Sequence, residues 1–261
     1  MNTPATALIT GASGGIGYEL AKLFARDSYN LVLVARSGDK LAQLAAELEK
    51  AYKIRATVVT ADLALPDGPE QVLAATQKAG IEVDILVNNA GFGQFGFYVE
   101  TDLQEELQQI QLNIASLTHL TKLYVRPMVE RRRGRILNIA STAAFQPGPL
   151  MAVYYATKAY VLSFSTALSN ELQGTGVTVT CLCPGPTTTE FHKRASMDLS
   201  NMMKAPFMDA KTVAEIGYRA MLKGKPTVIA GTMNWLVAQS TRLAPRAWTA
   251  AIARKIQEQR K

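Results

Sequence analysis

The sequence predicts an α/β protein built on a doubly wound parallel sheet of about seven strands, with helices on both faces. Seven short apolar runs recur along the 261 residues with helix-patterned stretches between them, and that alternation specifies parallel strands joined by crossover helices. A glycine-rich turn, Gly11-Ala12-Ser13-Gly14-Gly15-Ile16-Gly17, stands directly between the first strand and the first helix. No repeat, low-complexity tract or linker divides the chain. Residues 1–233 therefore read as one domain, and residues 234–261 as a basic, amphipathic C-terminal extension.

The elements follow in order. Ala5–Thr10 is the first strand, and the helix from Gly15 to Arg26 carries Ile16, Leu20, Leu23 and Phe24 on one face. Glycines in the turn between them allow a tight bend and a close approach to a pyrophosphate, which would rest on the amides and dipole of the helix N-terminus. The spacing is Gly11-x-x-x-Gly15-x-Gly17 rather than the G-x-G-x-x-G of many dehydrogenases. Asn30–Ala35 is the second strand. An acidic residue at its end would bind a free ribose 2′-hydroxyl; here Ala35 is followed by Arg36 and Ser37. A guanidinium beside an uncharged strand end suits a 2′-phosphate, so NADP(H) is expected, with NAD(H) as a second possibility. The plainer reading of Arg36 is a solvated surface charge.

A helix over about Lys40–Tyr52 leads to the strand Ala56–Ala61, with Asp62-Leu63 after it at the carboxyl edge. Asp62 there either borders an adenine or starts a turn towards Pro66. After a helix at about Pro69–Ala79, the strand Ile85–Val87 ends in Asn88-Asn89-Ala90-Gly91, residues that can tie neighbouring loops together or border a cofactor. One long helical region is expected over Leu103–Met128, with Leu107, Ile110, Ile114, Leu117, Leu120 and Leu123 inward and Asn113 interrupting the stripe. His119 on it reads as packing or surface. Arg131, Arg132, Arg133 and Arg135 read as a solvated turn before the strand Gly134–Ala140, whose carboxyl end places Ser141 in the ligand crevice. The helix from Ala152 to about Gln173, the strand Thr178–Cys183, the helix Ala210–Leu222 and the strand Thr227–Ala230 complete the sheet. Residues of about 190–209, rich in methionine, are expected to form a substrate lid with an adaptable apolar wall.

Composition narrows the class further. The hydrophobic fraction of 48% is that of a globular chain with a sizeable core, and the formal charge of +7 is concentrated in the arginine turn and beyond Arg242. The arginine turn has no interleaved aromatics, and neither basic run has zinc-ligand spacing, which argues against nucleic-acid binding. Cys181 and Cys183, the only cysteines, are poorly placed for a disulfide on one strand, which suits a reducing compartment. With no signal-peptide pattern and no apolar run of ~18 residues, a cytoplasmic location is expected.

The helix starting at Ala152 carries Tyr154 and Lys158 four residues apart, hence on one face. A phenol is a poor acid or base at neutral pH, and a nearby ammonium favours the phenolate and lowers its pKa. Tyr155 also lies within helical reach of Lys158, so spacing leaves the choice between the tyrosines open.

Taken together, Thr10 through Gly17, Asp62-Leu63, Asn88-Asn89-Ala90-Gly91, Asn113, Ser141, Tyr154-x-x-x-Lys158 and Pro184-Gly185 resemble the short-chain dehydrogenase/reductase superfamily over nearly the whole chain. The resemblance implies a Rossmann-like sheet and hydride transfer between a nicotinamide and a carbonyl or carbinol carbon. It selects Tyr154 as general acid/base, with Ser141 bonding the substrate oxygen. Lys158 would lower the tyrosine pKa and bind the nicotinamide ribose, and Asn113 would hold a relay water. Cofactor contacts are implied at Gly11, Ser13, Gly14, Gly15, Ile16, Gly17, Asp62, Leu63, Asn89, Ala90, Gly91, Pro184, Gly185, Thr187 and Thr189, beside Arg36 and Ser37. Many NADP-using relatives carry a basic residue where this chain has Gly14, which leaves most of the phosphate recognition to Arg36. Dimers or tetramers through the Leu103–Met128 and Ala152–Gln173 helices are implied too.

The expected activity is NADP(H)-dependent reduction of an apolar ketone, aldehyde or 3-oxoacyl group to an alcohol, or the reverse. Two alternatives are a membrane-surface lipid or sterol-type reductase anchored by the extension and a non-catalytic nucleotide sensor. The extension, with Trp235, Leu236, Val237, Leu243, Trp248, Ile252 and Ile256 among basic residues, either packs over the cleft or a partner subunit or lies on an anionic membrane. Packing is the preferred expectation.

Overall fold

A computed structural model describes residues 4–189, 191, 207–241 and 244–258. Its centre is a seven-stranded sheet, every strand parallel to its neighbours. The elements begin β1 (Thr6–Thr10), α1 (Gly15–Arg26), β2 (Asn30–Ala35), α2 (Gly38–Tyr52), β3 (Ala56–Thr60), α3 (Gly68–Lys78) and β4 (Ile85–Asn88). The middle holds α4 (Leu103–Ile110), a π-helical segment (Gln111–Ser116), α5 (Leu117–Glu130), β5 (Gly134–Ile139), α6 (Ala152–Glu171) and β6 (Val177–Cys183). Then come β7 (Thr187–Thr188), β8 (Met208–Asp209), α7 (Ala210–Leu222), β9 (Thr227–Ile229), α8 (Thr232–Ser240) and α9 (Arg246–Gln257).

The sheet order β3-β2-β1-β4-β5-β6-β9 reverses direction between β1 and β4. Ligand crevices of open parallel sheets lie at such a switch point, above the carboxyl ends of the strands. Side chains alternate across each strand. Ala7 and Ile9 of β1 thus enter a core shared with Leu20 and Phe24 of α1 and Tyr218 of α7, while Leu8 enters the opposite core with Leu120 and Met128 of α5. Both faces are apolar because both are covered.

Four expectations need correction. The long helix over Leu103–Met128 is broken by the π-helical segment, and Asn113 lies inside it with its side chain buried. Leu107 and Ile110, expected inward, are exposed together with Leu103, because α4 buries Glu106 and Gln109 instead. The arginine turn is not simply solvated. Arg131 and Arg133 both reach Glu82, and Arg133 Nη2 lies 2.7 Å from Asp84 Oδ1, whose other oxygen accepts from the Thr6 N–H; the turn clamps the starts of β1 and β4. A second, two-stranded parallel sheet, β7 with β8, was not foreseen. Most of the expected lid, residues 190 and 192–206, falls outside the described residues, including Met197, Met202 and Met203.

Candidate active site

A cavity of about 1080 Å3 opens above the carboxyl ends of β1, β2, β4, β5 and β6. Its first wall is the glycine turn. Gly11 and Gly15 sit at φ +66° and +56°, where a side chain would be strained, and the Gly11 N–H donates to Val34 O at 2.8 Å. The N-terminus of α1 has no side-chain cap and no acid in its first turn, and Ser13, Gly14, Gly15 and Ile16 all border the cavity. Its first N–H groups are therefore available to an anion. Gly17 does not reach the cavity wall. A Cβ there would strike the Gly11 carbonyl and the Asn89 amide, so this glycine lets α1 pack against the turn.

Asn89, Ala90 and Gly91 border the cavity and also bind the turn. The Asn89 and Ala90 N–H groups both donate to Thr10 Oγ1, and Asn89 Nδ2 donates to Thr10 O at 2.8 Å. At the far end Arg36, Ser37, Asp62 and Leu63 line the same space. Asp62 Oδ1 accepts from the Ala64 N–H, so the residue both borders the cavity and starts a turn. Lys40, in the first turn of α2, joins this group, and sequence reasoning missed it.

The reactive groups meet at the centre. Ser141 follows β5, and its hydroxyl accepts from the Ala143 N–H at 3.1 Å, donates to Pro184 O at 3.4 Å and stands near the Tyr154 phenol. Lys158 is buried and donates to Ile139 O at 2.9 Å, with its Nζ 5.8 Å from the centre of the Tyr154 ring. Tyr155 turns away: it is buried and its hydroxyl accepts from Gln257 Nε2 at 2.6 Å. Asn113 lies behind this group, not on the cavity wall. It donates to Phe92 O and Thr157 Oγ1 and accepts from the Phe92 N–H. A Cβ on Gly91 would lie 3.0 Å from Asn113 Oδ1 and 3.5 Å from Lys158 Nζ, so that glycine leaves the space between them open.

Burial dominates the Tyr154 phenol: desolvation pushes it well above its usual range, with the Ser141 side chain opposing. Burial also lowers Lys158 to about 8, the thiols of Cys181 and Cys183 opposing that shift.

Pro184, Gly185, Thr187 and Thr189 close the cavity opposite the glycine turn; the Thr189 methyl would lie 3.0 Å from a Cβ on Gly15. Beyond Tyr154 the walls turn apolar. Ala143, Met151 and Tyr155 pack with Phe95, Tyr154 and Phe191, the Tyr154 and Phe191 rings lying 5.2 Å apart. Met233 and Val237 of α8 and Ile256 of α9 complete the lining. No sequence pattern marks these residues as neighbours, because only the fold assembles them.

The short chain dehydrogenase family profile matches residues 5–200. A very-long-chain 3-oxoacyl-CoA reductase of Pyrenophora tritici-repentis is 35% identical over 242 residues, 89% of this chain and 71% of the relative. Among solved structures, a short-chain dehydrogenase from Sphingobium yanoikuyae in complex with NADPH is 33% identical with a TM-score of 0.80, covering 92% of this chain and 94% of that one. The bulky-bulky ketone specific alcohol dehydrogenase from Comamonas testosteroni is 30% identical with a TM-score of 0.78 and 93% coverage of each chain. Sequence and fold agree over most of the molecule, and the chain belongs to the short-chain dehydrogenase family.

Proposed function

We propose that this oxidoreductase reduces long, apolar carbonyl compounds with NADPH, Tyr154 delivering the proton. The observation that carries the reading is the placement of Tyr154, with Ser141 and Lys158, between an uncapped helix N-terminus and an apolar chamber. The residues fit a dinucleotide: a Cβ on Gly14 would meet nothing within 4 Å, so the turn offers backbone to open space, and Arg36, Ser37 and Lys40 supply charge and donors at the ribose end. When bound there, the nicotinamide supplies the hydride. Ser141 and Tyr154 would hold the carbonyl oxygen by hydrogen bonds, and the protonated phenol would transfer its proton to the developing alkoxide. Asn113 and the π-helical segment would hold the Lys158 side of the site in register. The names of relatives, reductases of very-long-chain 3-oxoacyl-CoA and of bulky ketones, support a large apolar substrate. The exposed Leu103, Leu107 and Ile110 of α4 support assembly into a dimer or tetramer, and the free Cys181 and Cys183 fit a cytoplasmic setting.

Turnover of 3-oxoacyl and ketone substrates of increasing length, followed in parallel with NADPH and NADH, tests this. Tyr154→Phe should lower kcat by about 10²–10⁴-fold while NADPH still binds. The Arg36→Ala/Lys40→Ala pair should raise KM for NADPH by about tenfold or more and leave NADH unaffected. Full activity of Tyr154→Phe would overturn the proton assignment, and equal use of both nucleotides by the wild type would overturn the NADPH preference.

A further inference from the structure

Helices α8 and α9 are packed the reverse way from an ordinary surface helix. In α9 the buried positions are Thr249, Ala253 and Gln257, one turn apart, whereas Trp248, Ile252 and Ile256 form a parallel stripe exposed by 68%, 59% and 50%. In α8 only Ala238 is buried; Met233 is 71% exposed, and Trp235, Leu236 and Val237 are about half exposed. The helices are nonetheless seated. Asn234 Nδ2 donates to Ala230 O at 2.6 Å, Gln257 holds Tyr155, and the Arg254 guanidinium lies 5.9 Å over the Phe97 ring. That last contact sets the exposed Phe97, Tyr98 and Val99 beside α9.

This apolar surface is continuous with the cavity, because Met233, Val237 and Ile256 belong to both. Basic residues accompany it. Arg246, Arg254 and Lys255 are exposed on α9, and among the described residues only Arg254 has an acidic partner, Glu258 at 2.6 Å. Exposed tryptophans and aliphatics on helices of 9 and 12 residues, with arginine and lysine along the longer one, are the make-up of segments that lie in a lipid interface without crossing it.

We propose that α8 and α9 dock on an anionic lipid surface, so that long-chain carbonyl substrates enter the cavity directly from the lipid. The proposal rests on the carbonyl-reductase reading and names the surface from which that site is fed. Charge decides between lipid and a second copy of this chain. A two-fold contact through this face would set Arg246 and Lys255, unpaired among the described residues, against the same positive charges of the second copy and cover the cavity mouth. An anionic interface neutralises them and leaves the mouth facing the phase in which a long alkyl chain dissolves.

Trp235 and Trp248 are the only tryptophans in the chain, so intrinsic fluorescence reports on this face alone. Full-length protein mixed with phosphatidylcholine vesicles containing phosphatidylglycerol should show a blue shift and quenching by brominated lipid. Both should be weaker with phosphatidylcholine alone and in high salt. Leu236→Ser/Ile252→Ser, which keeps both tryptophans and touches no cavity-lining residue, should partition about tenfold or more weakly. It should lose turnover of a vesicle-borne long-chain 3-oxo substrate and keep that of a short, water-soluble ketone. Absence of a vesicle-induced shift in the wild type, or equal partition of the double variant, would overturn the proposal. So would a double variant that halves the mass in solution while binding vesicles as before, since the face would then belong to a second copy. The carbonyl-reductase reading fails by a separate outcome: no turnover of the short ketone by either protein.

Discussion

Lys158 sits in the interior with its ammonium donated to Ile139 O, and burial holds its pKa at about 8, against ~10.4 in an unfolded chain. Between those values the unfolded chain binds more protons than the folded one, so stability rises with pH across that window. Below about pH 8 the folded protein carries the whole cost of a desolvated ammonium. Lys158→Met should therefore stabilise the fold by about 1–3 kcal/mol at neutral pH, less whatever the lost bond to Ile139 contributes. The gain should shrink to nothing as pH passes ~10.4. Urea unfolding of both proteins from pH 7 to pH 10.5 checks this, since titrating groups that do not interact with Lys158 cancel in the difference, and a gain independent of pH would remove desolvation as its cause. Local spacing on one helix was enough to pair Tyr154 with Lys158 in the sequence. It could not separate Tyr154 from Tyr155, because what separates them is Gln257, 102 residues away from Tyr155. The rise in the Tyr154 pKa was equally out of reach, since it depends on walls contributed by the whole fold.

The helix that carries Tyr154 and Lys158 is fastened to the sheet by a buried polar chain. Asn138 of β5 donates to Ser165 Oγ of α6 at 2.9 Å and accepts from Asn88 Nδ2 of β4 at 2.9 Å, and Asn88 also donates to Thr121 Oγ1 of α5. All four side chains are buried, so removing the central one strands its partners away from water. Asn138→Ala should cost about 2–4 kcal/mol in urea unfolding, from unpaired donors and a small cavity together. A loss near zero would mean that the chain contributes nothing net. The strands were legible in the sequence because β1, β2, β4, β5 and β6 are covered on both faces and are built around short apolar or β-branched runs. The break at Gln111–Ser116 was legible only as an interruption, since the leucine and isoleucine period resumes on its far side. Asn113 was the only visible sign. The inward face of α4 was misread for a related reason: Glu106 and Gln109 are buried there, and hydrophobic periodicity points to the opposite side.

At the scale of the molecule, the cavity is a junction of segments from opposite ends of the chain. The glycine turn supplies one wall, the loops after β5 and β6 another, and the C-terminal helices the rim. Asn234 fills the space over Gly185, where any Cβ would collide with it, and Gln257 reaches Tyr155, so the extension is built into the site's own motifs. Its sequence showed an amphipathic, basic stretch but not which face would be buried. The packed face consists of Thr249, Ala253 and Gln257, residues without a hydrophobic signature. Such a seating depends on few bonds and little apolar area, so α9 should be among the first parts of the fold to open. Gln257→Ala removes the bond to Tyr155 and should cost about 1 kcal/mol. Amide exchange should then accelerate across 246–257 while β1, β4 and β5 keep their protection. The same variant should raise KM for long substrates, whose chains would extend to the Ile256 end of the cavity, and leave short ketones unchanged, because Ser141, Tyr154 and Lys158 are positioned by β5 and α6. Uniformly faster exchange throughout the sheet would instead make Gln257 part of the global core, and an equal rise in KM for short and long substrates would show that α9 shapes the reacting centre itself.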